Sequence, residues 1–131
     1  MLYTKSIYLP PSLEDGIRIS VMSRHTLDDG VTPDPLITSK SWQIWYKELA
    51  PPAKLVGAYY RGEISIEDYK KVYLAHLFKP ETLVHVNVLT NIALSTDVTI
   101  LCKELDAREC HRSTLADACR IQRPYLRVEH R

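Results

Sequence analysis

The apolar positions of this chain change period several times, and each change marks an element. Leu2 to Tyr8 alternates and carries Tyr, Ile and Thr, the pattern of a short strand, and Pro10-Pro11-Ser12 breaks it. After a turn at Glu14-Asp15-Gly16, Ile17 to Met22 is predicted as a second strand, with Ile17, Ile19 and Val21 pointing one way and Arg18 and Ser20 the other. Ser23-Arg24-His25 follow at its carboxyl end. The segment from Thr26 to Thr38 has no period, and Asp29-Gly30 and Pro33-Asp34-Pro35 are turn chemistry. A loop of this length inside a compact domain is usually functional or flexible.

The period then lengthens. Trp42, Trp45, Tyr46 and Leu49 fall at i, i+3, i+4 and i+7, which predicts a helix capped by Thr38 or Ser39 and ended by Pro51-Pro52. Ala53 to Tyr60 is predicted as a short helical piece closed at Gly62. Ser65 with Asp68 has the spacing of a capping box, and Ile66, Tyr69, Val72, Tyr73 and Leu77 make a helical stripe that runs to Pro80. Glu81 to Ser95 has a strand-like run at Val84 to Asn87. Its length without a breaker, with Leu83, Val86, Leu89 and Ala93 roughly in line, favours a helix. Val98 to Cys102 is a continuous apolar run, predicted as a buried strand. A charged turn follows from Lys103 to Glu109, and a helix opens near Cys110-His111-Arg112 and ends before Pro124. Pro124 to Glu129 is a final short strand or an extended tail.

Strands separated by helices predict an α/β fold: a single small domain over residues 1–131, with a short, mostly parallel sheet flanked by helices. Such sheets place ligand sites beyond the carboxyl ends of their strands. The rule points at Ser23-Arg24-His25 and at the turn after Cys102, which meet if the two strands are parallel neighbours.

Composition narrows the classes. Charged residues are 25% and apolar residues 45% of the chain, and the net charge is +1, so whole-molecule electrostatics favour neither nucleic acid nor an anionic membrane. No run approaches the roughly 18 apolar residues of a membrane span. The first residues lack the apolar core of a signal peptide. Three cysteines without a secretory context read as free thiols in a cytoplasmic protein.

All three cysteines lie between Asp97 and Arg120. Cys110, at a helix start with His111 and Arg112 beside it, meets the conditions that lower a thiol pKa, and is the candidate nucleophile or redox thiol. The plainer alternative is a small, partly buried helix-start residue. Cys102 ends an apolar strand and is expected in the core or at the sheet rim; it could pair with Cys110 across the turn, but eight residues of separation is not a redox signature like C-x-x-C. Cys119, half a revolution round the helix from Cys110, is expected to pack. Glu104 is a second catalytic candidate as a general base, with a salt bridge to Arg112, Arg24 or His111 as the plainer alternative. Cys102 and Arg108 have the C-x5-R spacing of phosphatase loops. That assignment is rejected, because the turn has no glycine and Glu104 and Asp106 repel a phosphate. No cofactor is expected and no metal, since His25, Cys102, Cys110 and His111 match no familiar ligand spacing. Trp42 and Trp45 are expected in the core.

The pattern VTILCKELDARECHRSTLAD resembles the hydrophobic-strand, C-x-E, then C-H-R signature of the domain-of-unknown-function family numbered 488, which includes the YeaO-like proteins. PPSLEDGIRISVMSR, SWQIWYKELAPPAKLVGAYYRGEIS and DYKKVYLAHL resemble its proline turn and first long strand, its Trp-Lys-Glu-Leu-Ala-Pro stretch and its Tyr-rich helical middle. The resemblance implies a small, mostly prokaryotic α/β domain, with Cys102, Glu104, Cys110, His111, Arg112 and Arg24 as its most recognisable positions.

Two functions from different classes are compatible with these residues. In the first, Arg24, His25, His111, Arg112 and Cys102 bind a small anionic or nucleotide-like ligand, and Cys110 and Glu104 act on it; the helix start supplies free N–H groups for an anion. In the second, the chain is a non-catalytic adapter that binds protein or nucleic acid through its C-terminal face, where six arginines stand against three acids between Ala107 and Arg131. A second copy of the chain is a further candidate partner under either.

Overall fold

The structure, a computed structural model, describes all of residues 1–131. Five strands, β1 (Leu2–Ser6), β2 (Ile17–Ser20), β3 (Ile44–Trp45), β4 (Val98–Cys102) and β5 (Val128–His130), form one sheet in the order β3-β2-β4-β1-β5, and every pair is parallel. Four helices accompany it: α1 (Ala53–Tyr60), α2 (Ile66–Leu77), α3 (Pro80–Ser95) and α4 (His111–Gln122). The fold is α/β, and the parallel pairing is complete.

The pleat sorts the side chains. Leu2, Ile19, Val98 and Ile100 share one face through the register Leu2↔Val98 and Ile19↔Ile100, and they pack with Leu55, Tyr73, Leu77, Val86, Leu89 and Leu115 from the four helices. β4 is central and buried along its whole length, as its unbroken apolar run requires. Ser65 caps α2 by accepting from the Asp68 amide, and α3 starts on Pro80 at a position that needs no donor.

The opposite face lies under loops and is mixed: Leu101 packs there with Ile7, Met22 and Ile37 in a second, smaller core, beside a polar cluster. Asp15 is wholly buried there. It accepts from Arg18 Nη1 at 2.6 Å, from Lys5 Nζ at 3.1 Å and from the Ser12 amide at 3.0 Å, with Arg131 Nη1 at 3.4 Å. Burial alone would push its carboxyl up; the bonds from Arg18, Ser12 and Lys5 outweigh that and hold it below the ordinary range.

The predicted helix over Trp42 to Leu49 does not form. β3 occupies Ile44–Trp45, followed by a single 3-10 turn at Lys47–Leu49. The i, i+3, i+4, i+7 spacing arises because tertiary partners claim those residues separately. Trp45 Nε1 donates to the Met22 carbonyl, Tyr46 bonds His85, and Leu49 enters the main core. The helix favoured over Glu81 to Ser95 is α3, and the tail resolves as β5. β2 ends at Ser20, two residues short of the predicted Met22.

Two strands in this order feed opposite ways. β2 leads toward β3 at one edge, while β4 leads through α4, past β1, to β5 at the other. The crevice beyond the carboxyl ends of β2 and β4 is therefore a topological switch point, where ligand sites occur in sheets of this kind.

Gly16 joins the Asp15 turn to β2 at φ +61°, where a Cβ would stand 2.0 Å from the Asp97 carbonyl oxygen. Gly16→Ala is expected to destabilise the fold by roughly 3 kcal/mol. Urea unfolding checks this, with a lowered midpoint and an unchanged m-value as the expected outcome.

Candidate functional site

The switch-point crevice opens into a cavity of about 500 Å³, the size of small-molecule sites. One wall is the segment after β2, Met22 to Arg24 and Thr26 to Gly30. A second is α1 with Val56, Tyr59 and Tyr60, backed by Tyr69 of α2. The turn after β4 adds Lys103, Glu104 and Glu109, and Cys110 and His111 complete the lining.

Local sequence fixes each wall. The Thr26-to-Thr38 loop doubles back through a bridge between Thr26 and Pro33, and Gly30 turns its tip at φ +72°. The Asp29 carboxylate accepts from the Val31 and Thr32 amides, and buried Asp34 accepts from Tyr8 and the Leu36 amide. The mouth is tied across by neighbouring residues of the β4 turn: Lys103 pairs with Asp28, and Glu104 accepts from Tyr60 Oη at 2.7 Å.

Behind the cavity, the end of β4 and the start of α4 converge. The Cys102 carbonyl accepts from the Ile7 amide, which anchors the strand end. The turn returns through a 3-10 helix at Ala107–Glu109, capped by Asp106, and Cys110 becomes the N-cap of α4. The two sulfurs meet as a Cys102–Cys110 pair, and Cys119 is the one free cysteine, buried in the core. The expectation of free thiols throughout is corrected: the turn brings the strand end and the helix cap into sulfur contact. Cys110 faces the cavity; Cys102 lies behind it, fully buried.

His111 is buried against the edge of the Tyr73 ring. Its Nε2 is 2.8 Å from the Val21 carbonyl, which can only accept, so the ring proton sits on Nε2. Nδ1 is left with its lone pair 3.8 Å from Cys110 Sγ. Burial pushes the imidazole pKa down to about 4, with Arg112 adding to the effect and the Val21 bond opposing it, so His111 is neutral at neutral pH.

Arg112 is wholly buried and touches no carboxylate. Its Nη1 donates to the Glu104 carbonyl at 2.5 Å and lies 3.4 Å from Cys102 Sγ, and its Nη2 donates to the Leu105 carbonyl at 3.0 Å. Its Nε has no partner. The expected bridge from Arg112 to the Glu104 carboxylate is thus a bond to the Glu104 backbone; the carboxylate turns to Tyr60. Arg108 is exposed and paired with Asp106, away from Cys102, in keeping with the rejected phosphatase spacing.

Of the expected site residues, the cavity gathers Arg24, Glu104, Cys110 and His111. Arg24 stands at the mouth, held by the Gly30 carbonyl at 3.0 Å. Cys102 and Arg112 are behind the lining. His25 is not in the cavity: it stacks on Trp45 at 3.9 Å and bonds Ser20 Oγ at 2.7 Å, on the loop-covered face of the sheet. The tyrosine wall was missed, although Tyr59 and Tyr60 sit on a predicted helix and Tyr69 on a predicted buried stripe. Cys102, Cys110 and His111 are the one group of donors close enough to share an ion, within 4.8 Å of one another. The sulfurs face each other and the Arg112 charge stands beside Cys102, which disfavours a cation there.

The six C-terminal arginines are not all on the surface, although Arg120 and Arg127 are exposed. Arg112 is buried, Arg108 is paired, and Arg131 lies over the Tyr3 ring at 3.6 Å and against Asp15. No helix is long and apolar enough to cross a membrane.

Arg112→Met should loosen the turn by removing the donor of two part-buried hydrogen bonds, at a cost of roughly 3 kcal/mol. Arg112→Lys should recover only part of it, because an ammonium cannot span both carbonyls as a guanidinium fork does. Thermal and urea unfolding of both variants check this. The pH response follows from His111: an unfolded imidazole binds a proton near pH 6.5 and the folded one near pH 4. Stability should therefore be flat above about pH 6.5 and fall as pH drops toward 4, by up to roughly 3 kcal/mol from this residue. His25, also held down to about 4 by burial and Lys47, adds to the same window. The Asp15 and Asp34 carboxylates contribute only at lower pH, since both lie below 3.8. Urea midpoints measured across the window check the slope.

No curated protein and no solved structure gives a match to this chain. A family model described as the active DUF488-N3 subclade matches residues 2–122, from β1 through the end of α4. The chain belongs to that subclade of the DUF488 family.

Proposed function

We propose that the cavity binds a small molecule and that Cys110, once the cysteine pair is reduced, is the nucleophile that acts on it. The observation that carries this reading is the His111 ring. With its Nε2 proton committed to Val21, the Nδ1 lone pair faces Cys110 Sγ at 3.8 Å and can take the thiol proton. Val21 fixes the tautomer and so aims this lone pair at the sulfur, and with a pKa of about 4 the ring holds the proton only in transit. The matched family model is described as an active subclade, in keeping with an activity for this chain.

The wall bears on the ligand. Arg24, Arg61 and Lys103 stand against Asp28, Asp29, Glu104 and Glu109, and Lys103 is already paired with Asp28. This balance does not select for a bare anion. Tyr59 and Tyr60 present ring surface, so a ligand with a flat ring and mixed polar groups suits the cavity, and a nucleotide-like molecule satisfies both features. Arg24 is the contact for its negative group. Glu104, bonded to Tyr60, orients that wall.

Alkylation of the reduced protein with iodoacetamide, resolved by residue, tests the reading. Cys110 should react at least about tenfold faster than Cys119 at neutral pH, because burial pushes the Cys119 thiol up to about 11. His111→Gln should slow Cys110 and leave Cys119 unchanged. Equal, slow reaction at all three cysteines would remove Cys110 as the nucleophile.

A further inference from the structure

The second cysteine has its own environment, which a single nucleophile does not explain. Cys102 and Cys110 are in sulfur contact, yet their positions differ. Cys110 lines the cavity; Cys102 is fully buried behind it, on a strand end whose carbonyl is anchored to Ile7. Next to Cys102 lies the Arg112 guanidinium, buried, without a carboxylate partner and 3.4 Å from the sulfur. A buried cation is stable when an anion answers it. In the reduced protein the group in contact that can supply that anion is the Cys102 thiolate.

We infer that Cys110 and Cys102 are a dithiol–disulfide couple that reduces a small organic disulfide bound in the cavity. The inference rests on the proposal that Cys110 is a nucleophile, and adds the reaction class and the role of Cys102. The Cys110 thiol passes its proton to His111 Nδ1 as the sulfur attacks one sulfur of the bound disulfide. The substrate S–S bond breaks, a Cys110–substrate mixed disulfide forms, and the departing thiolate takes the proton back from His111. The Cys102 thiolate, whose proton has gone to solvent, then attacks Cys110 Sγ. The mixed disulfide breaks, the second substrate thiolate leaves and is protonated by solvent, and the Cys102–Cys110 bond closes. Two electrons pass from the cysteine pair to the substrate, which leaves as two thiols. An external dithiol restores the pair by the same exchange in reverse.

The arrangement suits each step. The cavity-facing sulfur is the one a substrate reaches, and the buried sulfur is the one that can attack only its neighbour. Arg112 keeps the second sulfur ionised where water does not. The same guanidinium disfavours a metal ion as the third partner of these sulfurs.

The test uses the full chain, reduced and freed of reductant, with bis(2-hydroxyethyl) disulfide as the probe. Wild type should release two thiols per protein and end with Cys102 and Cys110 both blocked to alkylation and no adduct. Cys102→Ser should release one thiol and keep a stable adduct on Cys110, and Cys102→Ala should do the same, which separates loss of the sulfur from an effect of the serine hydroxyl. Circular dichroism confirms that both variants are folded. Cys110→Ser should form no adduct at Cys102. A wild-type protein that keeps the adduct as Cys102→Ser does overturns the couple while leaving Cys110 as a nucleophile. A Cys110 unreactive toward probe and iodoacetamide alike overturns both. Zinc bound at one equivalent, protecting both sulfurs from the probe, overturns the couple in favour of a metal site.

Discussion

A guanidinium that meets no carboxylate stands where the strand, the turn and the helix of this protein join. Arg112 belongs to the first turn of α4. Its two terminal nitrogens hold the Glu104 and Leu105 carbonyls of the turn, and one of them touches Cys102 at the end of β4. Taking such a charge out of water costs several kcal/mol, and neutral carbonyls repay it only in part. The relative position of the two sulfurs follows from this clamp. It sets the height of the turn, hence where Cys110 caps the helix, hence the contact between the sulfurs. Burial moves the Arg112 pKa down, with Glu104 and Asp106 opposing at longer range.

The other buried charge cluster is its electrostatic opposite. Asp15 is an anion among Lys5, Arg18 and Arg131, and its own carbonyl accepts from Thr99 Oγ1 at 2.7 Å. It ties β1, β2, β4 and the C-terminus together on the face of the sheet away from the helices. Its buried carboxylate is answered by cations within the fold. At Arg112 the charge is unmatched, beside a cavity. A buried cation without a carboxylate partner, next to open space, is the physical feature that marks this region as the candidate site.

Much of this was legible in the chain because it was local. The run Val98 to Cys102, the breakers at Pro10-Pro11, the Ser65 cap and the Pro124 stop each act within a few residues. The rule that sites lie beyond strand ends then placed the turn after Cys102 and the segment after β2 together. What stayed hidden depended on distant partners. Trp42, Trp45, Tyr46 and Leu49 mimic a helical stripe, yet β3 pairs at the sheet edge through two residues only, too few to leave an alternating pattern. His25 follows β2 just as Arg24 does, but it lies with Ser20 and the tryptophans while Arg24 reaches the cavity. One residue of offset at a strand end decides which face a side chain joins, and no period in the sequence records it. The arginines after Ala107 look alike in sequence, and only their packing separates the buried Arg112 from the others.

The three cysteines carry the same lesson into chemistry. Cys119 sits among Leu89, Leu115 and Thr90 in the main core, where burial favours the neutral thiol and nothing charged offsets it. Cys102 is equally buried, but it has Arg112 in contact. Cys110 is buried by the cavity wall and has an imidazole lone pair in reach. Burial is common to all three and so cannot by itself decide reactivity. What differs is the nearest polar group: none of opposite charge, a fixed cation, or a neutral base. Since a thiol acts through its anion, a fixed cation favours a sulfur that stays ionised and waits, and a neutral base favours one that ionises when it attacks. Two sulfurs so prepared, in contact and on opposite sides of one cavity wall, are suited to act in sequence.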